Sequence, residues 1–124
     1  MNPQMIYIID DEQETADMLG EFVALMGCKV KTYTKATRFF EENDACIENS
    51  VLILDLNMPG MDCIEVMRRL AERDCTLPIV LMSGYDSGVL HSAEQLAKAH
   101  SLRIIATLNK PFQFQNLKDI LQGA

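Results

Sequence analysis

Four uninterrupted apolar runs constrain the fold of this chain more than any other feature of its sequence. They begin at Met5, Val51, Ile79 and Ile104, and none of them alternates regularly between apolar and polar residues. Such runs are typical of parallel strands that helices cover on both faces. Helical patterns fill the segments between the runs, and this alternation of strands and helices indicates an α/β sheet.

The remaining elements follow from the spacing of apolar residues and from the residues that begin and end helices. The pattern predicts a first helix over residues 12–26, which Gly27 terminates, and a second helix that starts after Thr34 as its cap. A third helix is expected to begin at Asp62, with Glu65 completing a capping box. The last two helices are predicted over residues 87–100 and 114–122. Segment 29–33 alternates polar and apolar residues, which favours an edge strand. Right-handed crossovers then predict a doubly wound five-stranded parallel sheet in the order 2-1-3-4-5, with helices on both faces.

Composition narrows the class of protein. A length of 124 residues and a hydrophobic content of 48% are sufficient for one buried core, so we expect a single domain over residues 1–124. The net charge of −7, without a basic run, argues against direct nucleic-acid binding. No apolar stretch approaches the ~20 residues that span a bilayer, so we expect a cytoplasmic domain without a membrane partner. The cysteines and histidines lack zinc-ligand spacing.

Each apolar run ends at polar residues, and parallel strands would bring these residues to one edge of the sheet. Three carboxylates, a hydroxyl and a lysine are among them: Asp10, Asp11, Asp55, Ser83 and Lys110. Crowded carboxylates repel each other, and Mg²⁺, which accepts oxygen ligands, resolves that repulsion. We therefore expect a magnesium site in which Asp11 and Asp55 are side-chain ligands. Asp10 would hold metal-bound water, and Asn57 would contribute its backbone carbonyl.

The same residues can carry phosphoryl chemistry once the charge is screened. Asp55 can attack a phosphorus atom in line and form an aspartyl phosphate. Lys110 can pair with Asp55 beforehand and with a phosphoryl oxygen afterwards, and Ser83 can donate its hydroxyl to another oxygen. Pro111 is expected to be a cis proline that aims Lys110 inward. Each residue alone is an ordinary helix cap or loop residue, but the ordered set at four strand ends favours a functional site.

Four motifs carry a resemblance to a known family. They are Ile9–Glu12, Leu54–Asp62, Met82–Gly84 and Asn109–Phe112, and they extend over essentially the whole chain. Together they resemble the receiver domain of two-component response regulators, which has a flavodoxin-like fold. The resemblance implies phosphoryl transfer from a phosphohistidine on a sensor histidine kinase or phosphotransfer protein to Asp55, followed by slow self-catalysed hydrolysis. It implies a signalling domain in a phosphorelay, with no catalysis on external substrates.

Phosphorylation adds negative charge and acceptor oxygens at Asp55. Ser83 and Lys110 would move towards the new group and shift the face made by helix four, strand five and helix five. The expected output is therefore a protein-interaction surface for an output domain or protein. A phosphorylation-dependent dimer is one form that this output can take.

Three features depart from the family pattern. Cys63 stands where the family usually has glycine, and Thr107 stands where it tends to have an aromatic residue, with Tyr85 as a hypothetical substitute. Lys110 follows Ser83 by 27 positions, a handful more than is usual in the family. Segment 83–100 is similar to receivers fused to cyclic-di-GMP phosphodiesterase (EAL) output domains.

Other functions use similar residues. A magnesium phosphohydrolase with Asp55 as nucleophile would turn over external phosphate esters, but the chain offers no cap domain for a substrate. A pseudo-receiver would bind partners without phosphorylation, which the complete acidic set and Lys110 disfavour. A flavin carrier of similar fold lacks support, because no hydroxyl-rich phosphate loop follows the first strand. Multiple turnover of phosphate esters would indicate the phosphohydrolase, single labelling the receiver, and no labelling the pseudo-receiver.

Overall fold

A computed structural model describes residues 5–43, 49–56, 63–73, 76–84 and 87–123. Strands and helices alternate along the chain. The strands are β1 (Met5–Ile9), β2 (Lys29–Tyr33), β3 (Ser50–Asp55), β4 (Ile79–Ser83) and β5 (Ile104–Asn109). The helices are α1 (Gln13–Leu25), α2 (Ala36–Glu42), α3 (Cys63–Glu72), α4 (Ser87–Ala99) and α5 (Phe114–Gln122). Among the described helices, none has both the length and the apolar character that a bilayer crossing requires.

The five strands form one parallel sheet in the order β2-β1-β3-β4-β5, which confirms the predicted topology. Strand β2 lies at one edge and pairs with β1, as its alternating sequence predicted. In register, Ile9 lies opposite Leu54, Leu54 opposite Leu81, and Ser83 opposite Asn109. Since these strands end nearly level with one another, the residues that follow them meet at one edge of the sheet.

Each central strand is buried on both faces, which explains the absence of polar alternation in its sequence. In β1, Ile6 and Ile8 belong to one core cluster, whereas Tyr7 and Ile9 belong to the other. Helices α1 and α5 cover the first cluster, and helices α2, α3 and α4 cover the second. The two layers of helices therefore cover both faces of the sheet.

The helix bounds differ from the predicted ones in small ways. Helix α2 begins one residue later than expected, because Lys35 rather than Thr34 occupies the cap position with an extended backbone (φ −132°, ψ 128°). Gly27 follows α1 with φ +90°, a left-handed conformation that suits glycine, so its predicted role as terminator is confirmed. The predicted start of α3 at Asp62 lies outside the described residues. Helix α5 has the predicted bounds.

Candidate functional site

The predicted site residues lie at the carboxyl edge of the sheet, each placed there by a different strand. Asp10 follows β1 directly, Asp55 is the last residue of β3, and Ser83 is the last residue of β4. Lys110 follows β5. Strands β1 and β3 pair in register up to Ile9 and Leu54. The next residues, Asp10 and Asp55, therefore lie side by side. The local reason for the site is therefore that parallel strands end together.

Three carboxylates converge at this edge. One oxygen atom from each of Asp10, Asp11 and Asp55 lies within 4.8 Å of the others. Asp10 and Asp55 are almost completely buried, with exposed fractions of 0% and 1%, whereas Asp11 is half-buried. Burial, and then the charge of Asp55, raises the pKa of Asp11 above its ordinary value. The crowding that the sequence predicted is present.

Asp10 is the most constrained carboxylate of the three. Its Oδ1 accepts a hydrogen bond of 2.9 Å from the backbone N–H of Glu12. Its buried Oδ2 accepts no hydrogen bond from any described residue. Burial raises the pKa of Asp10 to about 6, and the charge of Asp55 adds to the increase, while the Glu12 N–H and Lys110 oppose it. A buried carboxylate oxygen without a hydrogen-bond donor is costly unless a cation approaches it.

Lys110 supplies the nearest positive charge. Its Nζ lies 3.2 Å from Oδ1 of Asp55 and 3.7 Å from Oδ2 of Asp10. The backbone N–H of Lys110 donates a 2.7 Å hydrogen bond to the carbonyl of Ser83, which joins the ends of β4 and β5. The Lys110–Pro111 peptide bond is cis, as predicted.

The residues present fit a divalent cation. Three ionised carboxylates beside one ammonium leave an excess of two negative charges, which a dication would neutralise. The donor set consists of oxygen atoms, the ligands that Mg²⁺ prefers. Oδ2 of Asp10 accepts no hydrogen bond from the described residues and has the Lys110 ammonium only at 3.7 Å, so a cation closer to it would be stabilising. Asn57, the expected backbone ligand, lies outside the described residues.

Ser83 has a hydroxyl that is poorly engaged. The residue is 3% exposed, and among the described residues its Oγ contacts only the carbonyl of Gly84, at 3.5 Å. A hydrogen bond of that length is weak, so the hydroxyl can turn towards a stronger acceptor. The sequence placed Ser83 at this edge, and the structure puts it beside the strand that ends in Asp55.

Thr107 lies on β5 opposite Leu81 and is half-buried. Together with other residues of α4 and β5, it lines a cavity of about 390 Å³. Tyr85, the suggested substitute for the missing aromatic residue, lies outside the described residues. No sequence pattern predicts the contacts among Phe22, Phe112 and Phe114. The only sequence signal for them is that two phenylalanines follow the Lys110–Pro111 pair closely.

Comparisons with known proteins agree with this architecture. The family profile described as "Response regulator receiver domain" matches residues 6–122. The chain is 34% identical over 128 residues to the response regulator protein TmoT of Ectopseudomonas mendocina, covering 100% of this chain and 54% of TmoT. It is 27% identical over 119 residues to the transcriptional regulatory protein FixJ of Bradyrhizobium diazoefficiens, covering 96% of this chain and 55% of FixJ. The chain thus spans about half the length of these curated relatives.

A solved structure gives the same result for the fold. The crystal structure of a response regulator from Colwellia psychrerythraea is 38% identical, with a TM-score of 0.84, and the match covers 97% of this chain and 94% of that one. Receiver domains are signalling domains of two-component systems, in which aspartate phosphorylation and an acidic Mg²⁺ pocket are family properties. Since the family profile covers nearly all of the sequence, this chain belongs to the response regulator receiver domain family.

Proposed function

We propose that this domain accepts a phosphoryl group on Asp55 in the presence of Mg²⁺ and thereby switches a protein-interaction surface. The observation that carries the proposal is the position of the Lys110 ammonium, 3.2 Å from Asp55 within a cluster of three carboxylates. The donor would be a phosphohistidine on a sensor histidine kinase or a phosphotransfer protein in the cytoplasm. The proposal treats residues 1–124 as one receiver domain.

Asp55 is the proposed nucleophile. One of its carboxylate oxygens attacks the phosphorus atom in line, the new O–P bond forms, and the N–P bond breaks with its electron pair returning to the donor imidazole. Asp10, Asp11, Asp55 and the backbone carbonyl of Asn57 would hold Mg²⁺. When bound, this ion neutralises negative charge on the carboxylates and on the incoming phosphoryl oxygens.

Lys110 and Ser83 would complete the site after transfer. The Lys110 ammonium leaves the Asp55 carboxylate and pairs with a phosphoryl oxygen, to which it can donate charge-assisted hydrogen bonds. The Ser83 hydroxyl donates to a second phosphoryl oxygen in place of its weak contact with Gly84. Attack by water on the phosphorus atom later releases phosphate and regenerates Asp55, so the domain resets itself slowly.

The proposed output surface is the face formed by α4, β5 and α5. Ser83 is the last residue of β4, and Lys110 begins the connection from β5 to α5. Displacement of either residue would therefore act directly on this face. Residues 104–107 of β5 are only half-buried, and the cavity beside them is lined by apolar side chains with Glu94 and Lys98. A partner that prefers the phosphorylated arrangement shifts the population towards it. A phosphorylation-dependent dimer through this face is one form of the proposal.

The output of a longer protein containing this domain is a separate proposal. TdiR and FixJ are named as transcriptional regulatory proteins. An EAL phosphodiesterase is the alternative output, because segment 83–100 is similar to receivers fused to EAL domains. Assays of the natural full-length protein for cyclic-di-GMP hydrolysis and for specific DNA binding distinguish the two outputs.

The phosphoacceptor proposal is tested by intact mass after incubation with acetyl phosphate, with and without Mg²⁺. We expect one magnesium-dependent phosphoryl adduct in the wild type and none in Asp55→Asn. The absence of any adduct in the wild type would overturn the proposal and favour a pseudo-receiver. Sustained multiple turnover of phosphate esters would instead favour a phosphohydrolase.

A further inference from the structure

Three phenylalanine rings connect α1 to the turn that carries Lys110. The rings of Phe22 and Phe114 are stacked, with centroids 4.6 Å apart and an interplanar angle of 25°. The rings of Phe112 and Phe114 meet edge to face, with centroids 6.3 Å apart and an angle of 85°. We call these three residues the aromatic ladder. All three are half-buried and pack against the core cluster on the α1 and α5 face of the sheet.

The ladder lies next to the turn that joins β5 to α5. At the start of the turn between β5 and α5, the backbone N–H of Lys110 is bonded to the carbonyl of Ser83. At the end of the turn, Gln113 precedes α5 and makes no side-chain capping hydrogen bond within the described chain. Within the turn, the ring of Phe112 contacts the ring of Phe114, the first residue of α5, and the two rings connect the turn to a neighbouring element. That element is α1, through Phe22.

We propose that Phe22 is a positioning residue for Lys110 and that it acts through Phe114 and Phe112. This inference rests on the proposed phosphoacceptor function of Asp55. The backbone position of a lysine sets which atoms its ammonium can reach at the end of a four-carbon stem. Loss of the Phe22 ring removes the stacking partner of Phe114 and lets the turn move relative to the sheet. The ammonium then loses part of its alignment with Asp55 and with the incoming phosphoryl group.

A double-mutant cycle tests the inference, with acetyl phosphate as donor and intact mass as readout. Phe22→Ala should slow phosphorylation of Asp55 by about three- to tenfold, because small misplacements of a catalytic group are costly. In a Lys110→Ala background, the same substitution should have no further effect, since its target is absent. Phe22→Tyr keeps the stacked ring and should restore the wild-type rate.

Val23→Ala is the matched control for lost stability. Val23 is the next residue of α1, it is fully buried, and it takes no part in the ladder. We expect Val23→Ala to lower the thermal unfolding temperature without changing the phosphorylation rate of the folded protein. If Phe22→Ala leaves the rate unchanged, or slows it equally in the Lys110→Ala background, the positioning role is wrong.

A second readout keeps this inference separate from the proposed function. The NMR resonance of the Lys110 ε-methylene group senses the nearby Asp55 carboxylate and does not require phosphorylation. It should shift in Phe22→Ala and stay unchanged in Val23→Ala. If the wild type is never phosphorylated but this resonance shifts as expected, the phosphoacceptor proposal fails while the positioning role stands. An unchanged resonance in Phe22→Ala overturns the positioning role.

Discussion

The ammonium of Lys110 lies 3.2 Å from Oδ1 of Asp55 and only 3.7 Å from Oδ2 of Asp10. One cation thus approaches two buried carboxylates that belong to neighbouring strands. The arrangement leaves excess negative charge at the carboxyl edge of the sheet, and this excess determines how the site should respond to mutation, pH and metal.

Replacement of Lys110 by alanine should impair phosphorylation more than it impairs folding. The ammonium is the nearest cation among the described residues to the charge that develops on the phosphoryl group, so we expect the rate with acetyl phosphate to fall by about 100-fold. Lys110 also lowers the pKa of Asp10, so that pKa should rise further in the mutant. Rates from intact mass and carboxyl ¹³C NMR titration measure the two effects. Lys110→Arg keeps the positive charge and should leave the Asp10 pKa near its wild-type value. An unchanged rate in Lys110→Ala would contradict this assignment.

The metal-free domain should lose stability as pH rises through the range in which Asp10 ionises. The Asp10 carboxyl has a pKa of about 6 in the folded protein, against an ordinary value of 3.8 for an aspartate, so the folded state binds the proton more tightly. Its contribution to the free energy of unfolding is therefore greatest below about pH 4. The contribution is lost as the pH rises through about 6, a change on the order of 2 to 3 kcal/mol. Urea unfolding in the presence of a chelator measures this change.

Asp10→Asn is the control for the pH prediction, because it removes the titrating group and keeps a similar shape. The amide should flatten the pH dependence and make the metal-free protein more stable than the wild type at about pH 8, by on the order of 1 to 2 kcal/mol. Identical pH profiles for the two proteins would show that Asp10 is not responsible.

Addition of Mg²⁺ should stabilise the wild type, since an ion that binds the folded state alone adds to the free energy of unfolding. At about 100 times its dissociation constant, the ion should contribute about 2.7 kcal/mol. Asp11→Asn should lose most of this gain. Glu14→Gln removes one negative charge from the exposed first turn of α1, away from the carboxylate cluster, and should keep the gain. Thermal unfolding with and without Mg²⁺ makes the comparison, and equal gains in Asp11→Asn would exclude Asp11 as a ligand.

Removal of the Ser83 hydroxyl should weaken the phosphorylated state without abolishing the acceptor. The hydroxyl makes a single, 3.5 Å contact with the part of the chain that the structure describes, so Ser83→Ala should barely change the stability of the unphosphorylated domain. A hydrogen bond to a charged group is worth about 1.5 to 3 kcal/mol, so labelling of Asp55 should slow by about tenfold or more. Ser83→Thr keeps the hydroxyl and should label normally. Equal labelling of Ser83→Ala and wild type would show that the hydroxyl takes no part.

Much of the site could be predicted because its residues directly follow strands that can be recognised from the sequence. The apolar runs before Asp10, Asp55 and Ser83 are buried on both faces, and burial on both faces is visible as unbroken hydrophobicity. The parallel arrangement then brings their ends together without any information about side chains. Helix α2 begins at Ala36, one residue later than the pattern predicts. The extended backbone of Lys35 sets this start, and the apolar pattern carries no information about that conformation.

The sequence by itself determined the sheet, its strand order and the group of residues at its carboxyl edge, because local hydrophobic periodicity and chain connectivity are sufficient for these. Only the tertiary structure decided that Asp10 is fully buried with an unsatisfied Oδ2, and that Phe22 stacks on Phe114. Both depend on contacts between segments far apart in the chain. Solvent exclusion and ring packing arise only when α1, β1 and α5 come together, so no local pattern encodes them.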